Sequence, residues 1–444
     1  MSQSLKTERK LSPGLRRILG NTGWLMIDRI VRMGLGALVG IMVARYLGPS
    51  RFGALNFAVS FVALFGTVTT LGLENVLVRE IVQNSSKTTE ILGTGFAVRM
   101  VGSLLAPLLA IATIWLIQPN DRTAILLVSV LSLGLVFQVF DTIDSYFQAQ
   151  VRSKLTVAAK NTAFLLTAAV RIFLIHVGAP LWEFAAAQVA ELALGALGLI
   201  TAYRYTGGRF SRWRASKAKA IELLTQSWPV ILSGMAIMIY FRIDVVMLKM
   251  MQGAQAVGIY AAATRISEVW YVIPSAIVSS VTPAIMRARH NPVLYYARLR
   301  RLFSLMTFLA LTIGSVLALC SRWIVHLLYS EPYSAASPVL AIHAWASVFV
   351  FLGVAQAPWD FSENRLKLSF YRTLAGAVAN VLLNLVLIPR YAAAGAAVAT
   401  VVSYAISSVF ANALSPLTRP IFLLQIRSVR LTDMFLKEAR THRP

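Results

Sequence analysis

Eight of the 42 basic residues fall within stretches apolar enough to span a membrane: Arg29, Arg32, Arg99, Lys160, Arg171, Arg242, Arg265 and Arg372. Hydrocarbon is a poor solvent for a guanidinium. An isolated arginine at the bilayer centre costs roughly 3 kcal/mol on insertion scales, so eight facing lipid would cost about 24. A chain that keeps them must turn most of them toward a water-filled interior. A cationic interior suits an anionic cargo. The same stretches hold the acids Asp28, Asp141, Asp144, Glu191, Asp244 and Glu268.

Spacing sorts these charges. Trp24, Asp28 and Arg32 recur at i, i+4 and i+8, one face of a helix. Asp28 and Arg32 can pair along it, while Arg29 projects about 100° away. Arg242 and Asp244 are two apart and face different directions. Arg265 and Glu268, at i and i+3, can pair. Asp141 and Asp144 share one face with Gln148 a turn on. Two such acids repel unless one is protonated or a cation lies between them. They are therefore the leading coupling-ion candidates, with Asp28, Asp244 and Glu268 beside them. Glu191 lies alone in the middle of its span and must be protonated or paired, with Arg171 a candidate partner. Arg99, Lys160 and Arg372 lie within two turns of span ends, where snorkelling to headgroups competes with an inward orientation.

The elements that must position these residues are transmembrane helices. The 444 residues are 57% hydrophobic and 14% charged, against about 25% charged in soluble chains. Strand-length alternation is absent, which argues against a barrel. Twelve spans are expected: 20–43, 54–77, 93–117, 123–149, 156–177, 182–203, 226–248, 255–283, 302–319, 335–358, 367–388 and 394–415. With the N-terminus in the cytoplasm, cytoplasmic segments hold 28 Lys/Arg, counting Lys367 at the mouth of the eleventh span, and outer loops six, the expected positive-inside bias. The basic N-terminus resembles a signal-peptide start, but the apolar stretch after it holds Asp28, Arg29 and Arg32, so it is read as an uncleaved span.

A basic connection from Arg204 to Lys219, with Gly207-Gly208 inside it, separates two sets of six spans. The expected organisation is a cytoplasmic N-terminus (1–19), an N-lobe (20–203), a linker (204–225), a C-lobe (226–415) and a basic amphipathic or disordered tail (416–444). Weak internal similarity supports a duplication. Gly48 and Gly53 after the first span recur as Gly253 and Gly258 after the seventh, shifted by 205 residues. Lobes with even span numbers are parallel repeats about an axis along the membrane normal. Pro229, Pro274 and Pro358 are kink or hinge candidates.

Several functions are disfavoured. The net charge of +24 sits in loops beside helices, where topology and anionic lipids account for it without nucleic acid. Cys320 is the only cysteine, so neither an internal disulfide nor a cysteine metal site can form. There is no Walker loop, no HExxH and no acid-rich metal cluster, and His176, His290, His326, His343 and His442 are scattered. An enzyme is not expected, nor is a cofactor or metal.

Three segments carry a family resemblance: Ala44 to Ala58 (ARYLGPSRFGALNFA), Arg242 to Ala263 (RIDVVMLKMMQGAQAVGIYAAA) and Asn380 to Ser403 (NVLLNLVLIPRYAAAGAAVATVVS). They resemble Wzx-type polysaccharide and O-antigen flippases of the multidrug/oligosaccharidyl-lipid/polysaccharide (MOP) exporter superfamily. The third departs at Ala392, where relatives often have glycine. The resemblance implies an all-α fold of two six-helix lobes around a V-shaped cavity. It implies export of undecaprenyl-pyrophosphate-linked oligosaccharide across a bacterial inner membrane, with both termini cytoplasmic, for surface polysaccharide or exopolysaccharide synthesis. Arginine binds phosphate with a planar fork of donors, so Arg29, Arg32, Arg242 and Arg265 are the pyrophosphate candidates, with Arg99 and Arg171 as supports. Membrane lipids, a proton or sodium ion, and a polysaccharide polymerase are the expected partners. The alternatives are a cation-coupled multidrug exporter of the same fold, a peptidoglycan-precursor flippase, which would have fourteen spans, and a membrane-embedded polymerase or glycosyltransferase.

Overall fold

The computed structural model describes residues 13–429, with side chains described from Arg32 onward. Arg29 and Asp28 therefore have a described helical backbone only, and the tail beyond 429 lies outside the described residues. Nine continuous helical stretches among them are long and apolar enough to cross a membrane. Three are too long to cross once. The 74-residue stretch Lys217–His290 would extend about 110 Å at 1.5 Å per residue, against a hydrocarbon core of about 30 Å. Each of the three reverses at one residue of positive φ: Gly48 (φ 70°), Gly253 (φ 84°) and Ala392 (φ 46°). The nine stretches thus make twelve spans.

The first six are α1 (13–47), α2 (49–70), α3 (Thr88–Ile117), α4 (Arg122–Phe137), α5 (Ser153–His176) and α6 (Leu181–Tyr205). The second six are α7 (217–252), α8 (254–268), α9 (Pro292–Leu319), α10 (Ala346–Ser362), α11 (366–391) and α12 (393–405). Several continue past a short irregularity: α4 into Asp141–Ala149 and α8 into Val272–Arg287. Leu108, Leu116, Phe173 and Leu382, all more than half exposed, clothe the outside, as lipid requires.

One continuous core joins the lobes on the side away from the termini. It runs from Val43, Phe52 and Phe57 to Val245, Val257, Tyr329 and Tyr333. Toward the termini the cores separate. The first lobe packs Leu73, Leu77 and Ile91 in one cluster and Ile143, Phe147 and Tyr203 in another; the second packs Leu299, Phe303, Phe351 and Trp359. The lobes thus share one core at one end and, apart from the first turns of α7, keep separate cores at the other.

The seam between them shows the internal duplication in atoms. A Cβ on Gly53 would meet Ala254 O at 1.8 Å, and a Cβ on Gly258 would meet Pro49 O at 1.9 Å. Ala254 and Pro49 are the residues that follow Gly253 and Gly48. The two contacts are one contact repeated about a pseudo-two-fold axis. Around them Tyr333 Oη donates to Ala44 O at 2.8 Å, and Lys249 Nζ meets Asp121 Oδ2 at 2.7 Å.

Two sequence boundaries shift. Residues 217–225, expected in the linker, form the first turns of α7, whose start is capped by Ser216 Oγ accepting from Lys219 N. These turns lean on the first lobe through Leu223 and through Lys219 Nζ, 2.7 Å from Glu80 Oε2. Part of the expected tail, Arg419–Ser428, is ordered as a helix. It buries Ile421 and Leu424 against the second lobe.

Candidate functional site between the lobes

A cavity of about 430 Å³ lies where α1 and α2 face α7 and α8, about midway through the membrane. Arg242 is eleven residues before the break at Gly253 and Arg265 twelve after it, so both sit roughly 17 Å from that end of their helices. Arg32, Arg242 and Arg265 share this cavity with Asp244 and Glu268. Five residues expected to do chemistry thus meet in one place, drawn from three helices.

Each arginine is held differently. Arg32 Nε donates to Asn161 Oδ1 at 2.7 Å, and its guanidinium lies 5.7 Å from the Phe164 ring centroid. Both partners belong to α5, so α1 is tied to its own lobe. Arg265 crosses the seam. Its guanidinium lies 5.4 Å from the Phe52 ring centroid and against the backbone of Gly40, where a Cβ would fall 1.8 Å from Nη1. A side chain at position 40 would push the guanidinium out of this place. Arg242 is exposed to the cavity and has no hydrogen-bond or ion-pair partner among the described residues.

The acids do not cancel this charge. Asp244 is buried and already occupied: Oδ2 accepts from the Tyr260 hydroxyl and, at 3.5 Å, from Thr400 Oγ1, while Oδ1 accepts from Val245 N at 2.8 Å. Glu268 projects into open space and has no hydrogen-bond or ion-pair partner among the described residues. The i, i+3 pairing expected between Arg265 and Glu268 does not form, because Arg265 is drawn away to Phe52 and Gly40 on the other lobe. Among the described residues that line the cavity, three arginines face two carboxylates.

The remaining candidates lie elsewhere. Arg171 pairs with Glu191 at 2.9 Å, as a carboxyl in mid-span requires, and Thr167 Oγ1 adds a donor at 3.3 Å. Arg171 remains within electrostatic reach of Arg265 without lining the cavity. Arg99 is 2% exposed inside the first lobe, away from the cavity wall. Asp141 and Asp144 do share a face, but the cation between them is Lys160, 2.8 Å from one and 3.0 Å from the other. Arg372 pairs with Asp360 at 2.6 Å. Snorkelling therefore accounts for none of Arg99, Lys160 and Arg372. Asn161, Phe164, Phe52, Gly40 and Tyr260 carry no sequence mark of their roles, since each acts across a helix interface that spacing along one helix does not reveal.

A family model described as "Polysaccharide biosynthesis protein" matches residues 18–289, and a second, MatE, matches 229–386. Over 203 residues the chain is 28% identical to a Haloferax volcanii protein named as a probable flippase, AglR. That match spans 44% of this chain and 42% of the relative, less than half of its length. Among solved structures, the lipid II flippase MurJ in an inward closed conformation superposes with a TM-score of 0.71 at 14% identity, covering 93% of this chain and 91% of that one. An inward-facing multidrug resistance MATE family transporter of the MOP superfamily gives 0.67 at 16% identity, covering 93% and 100%. A Pyrococcus furiosus MOP superfamily transporter, described as having a binding pocket of reverse polarity, gives 0.63 at 14%, covering 95% and 99%. With the two-lobed helical architecture already on the page, these matches make the chain a multi-pass membrane protein of the MOP fold, and it belongs to the polysaccharide biosynthesis protein family.

Proposed function

We propose that this protein is a flippase that carries undecaprenyl-pyrophosphate-linked oligosaccharide across a bacterial inner membrane by alternating access. The observation that carries the proposal is the convergence of Arg32, Arg242 and Arg265 on one inter-lobe cavity. A diphosphate crossing the bilayer needs counter-charge and donors at mid-depth. Guanidinium forks supply both. The polyprenyl tail can stay in hydrocarbon while the headgroup uses the wet path between the lobes. The core fused on one side and divided on the other fits a state open toward the termini, which the basic loops would place in the cytoplasm. Asp244 and Glu268 are the proposed coupling groups, serving a proton or sodium ion. Asp141 and Asp144 suit that role less well, because Lys160 already sits between them.

The cargo is tested in proteoliposomes holding fluorescent undecaprenyl-pyrophosphoryl-oligosaccharide, scored by its accessibility to an external quencher. A hydrogen bond to a charged group contributes about 2 kcal/mol, or roughly 30-fold in affinity. Arg242→Ala and Arg265→Ala should each slow transport by at least tenfold at limiting substrate, with the protein still inserted and folded. Rates equal to wild type in both variants would falsify the assignment. The MatE match over 229–386 and the unpaired Glu268 favour a second reading, a cation-coupled multidrug exporter. It requires efflux of cationic dyes, which the three cavity arginines oppose.

A further inference from the structure

A second cavity of about 400 Å³ opens inside the second lobe and shares Met33, Phe241 and Glu268 with the arginine cavity. The two cavities adjoin at these residues. Its chemistry differs. The walls carry the rings of Tyr240, Tyr271 and Tyr404, together with the hydroxyl-bearing residues Ser275, Ser369 and Ser407. Its one full ion pair is closed: Arg372 Nη2 meets Asp360 Oδ2 at 2.6 Å, and Gln356 Nε2 donates to Asp360 Oδ1 at 3.2 Å.

Two breaks in helical regularity face this space. Val269–Tyr271 is a 3-10 turn inside α8, and Ile406–Phe410 is a π-helical turn after α12. Such turns interrupt the backbone ladder and occur often at functional sites. One sets Tyr271 in the wall and the other sets Ser407 and Ser408 there. The Tyr271 hydroxyl is buried without a hydrogen-bond partner among the described residues. A buried hydroxyl left so is costly, and an added donor or acceptor beside it would relieve the cost.

We propose that this second cavity is the subsite for the sugar nearest the pyrophosphate of the lipid-linked glycan. This rests on the flippase reading above. A bare cation does not suit the space: its ligands would have to close to roughly 2.5 Å on all sides, whereas the cavity has the volume of a small-molecule pocket. Tyr240, Ser275 and Ser407 already hydrogen-bond within the protein, but a lipid tail would leave the buried Tyr271 hydroxyl without a partner. A pyranose has apolar ring faces for the tyrosines and hydroxyls for Tyr271, Ser369 and Glu268. The diphosphate in the adjoining cavity would hold it in place.

Binding to the purified full-length protein in nanodiscs tests this, by native mass spectrometry with two probes. One is undecaprenyl pyrophosphate; the other is undecaprenyl-pyrophosphoryl-N-acetylglucosamine. Wild type should bind the sugar-bearing lipid at least fivefold tighter. Tyr271→Phe with Ser369→Ala should erase that preference and leave the bare lipid's Kd within twofold. Equal affinities in wild type would overturn the subsite while leaving the arginine cavity in place. A variant that weakens both lipids alike would overturn it too, because the tyrosine would then merely hold the lobe together. If wild type binds neither lipid, the flippase reading falls and takes the subsite with it.

Discussion

The seam between Gly53 and Gly258 allows a quantitative test of which state the structure represents. In Gly258→Ala the new Cβ would sit 1.9 Å from Pro49 O and 2.7 Å from its carbonyl carbon. Real contacts need more than 3 Å, so the lobes must part by over 1 Å at this point. The obstacle is backbone at a turn, and no side chain can rotate out of the way. Two effects compete. Alanine in a helix gains about 1 kcal/mol over glycine. Overpacking of this kind costs about 1–3 kcal/mol; against rigid backbone the upper value applies, leaving a net of about 2 kcal/mol against the closed seam. If the opposite-facing state separates these turns, its population rises roughly 30-fold. Gly53→Ala should do the same by symmetry, since its Cβ would lie 1.8 Å from Ala254 O. The double variant should cost less than the sum, because the first substitution has already opened the seam. Spin labels on Asn120→Cys and Met251→Cys, with the exposed Cys320 replaced by serine, report the separation by pulsed electron–electron resonance. The labels should move apart by several ångströms in both variants. Unchanged distances together with unchanged melting would show that the seam is not what closes this side.

Two further outcomes are expected. Burial pushes the Asp121 carboxyl up, but hydrogen bonds from Lys249, Ala124 N and Thr123 N outweigh it and hold the group below its ordinary 3.8. A depressed carboxylate stabilises above its ordinary value and loses that contribution as pH falls through the lowered one. The inter-lobe lock should therefore hold at neutral pH and weaken only below about pH 4. Asp121→Asn should release about 0.5–1 kcal/mol at any pH above that, as a partly exposed pair allows, seen as a wider label separation that no longer responds to acid. Ala392 adopts φ 46° and ψ −127°, a conformation that strains an L-residue by about 1–3 kcal/mol. Ala392→Gly should raise the melting temperature measurably, and a lower value would mean that this turn is not strained.

Much of this architecture was legible because lipid is an exacting solvent. Apolar length, positive-inside bias and glycine at the turns fixed twelve spans and the two-fold repeat, and the Gly48/Gly253 correspondence proved to be a structural one. The departure noted at Ala392 falls on the residue that takes positive φ, so what looked like a minor deviation marks a reversal of the chain. An amphipathic helix was one of the two readings of the tail, but the docking of Arg419–Ser428 on the second lobe was not legible. Its buried Gln425 bonds Asn412 and Gln356, and a polar contact of that kind leaves no periodic trace.

The intramembrane charges divide by a rule that spacing along one helix cannot supply. Arg171, Lys160 and Arg372 each found an acid on a neighbouring helix or turn of their own lobe and were neutralised there. Those pairs hold each lobe rigid and carry no message across the cavity. Arg32, Arg242 and Arg265 are the described intramembrane arginines that line the space between lobes, and their settings are an amide, open space, and an aromatic face with a glycine. Arg242 and Arg265 meet no carboxylate at ion-pair distance among the described residues. Arg99 meets none either, but it is sealed inside the first lobe, with Nε and Nη1 buried and unbonded. A missing carboxylate therefore does not mark a site by itself; access does. Arg242 and Arg265 line the space between the lobes, where an incoming anion can reach them, and Arg99 does not. That difference is the physical reason the proposed diphosphate is placed between the lobes and not within either one.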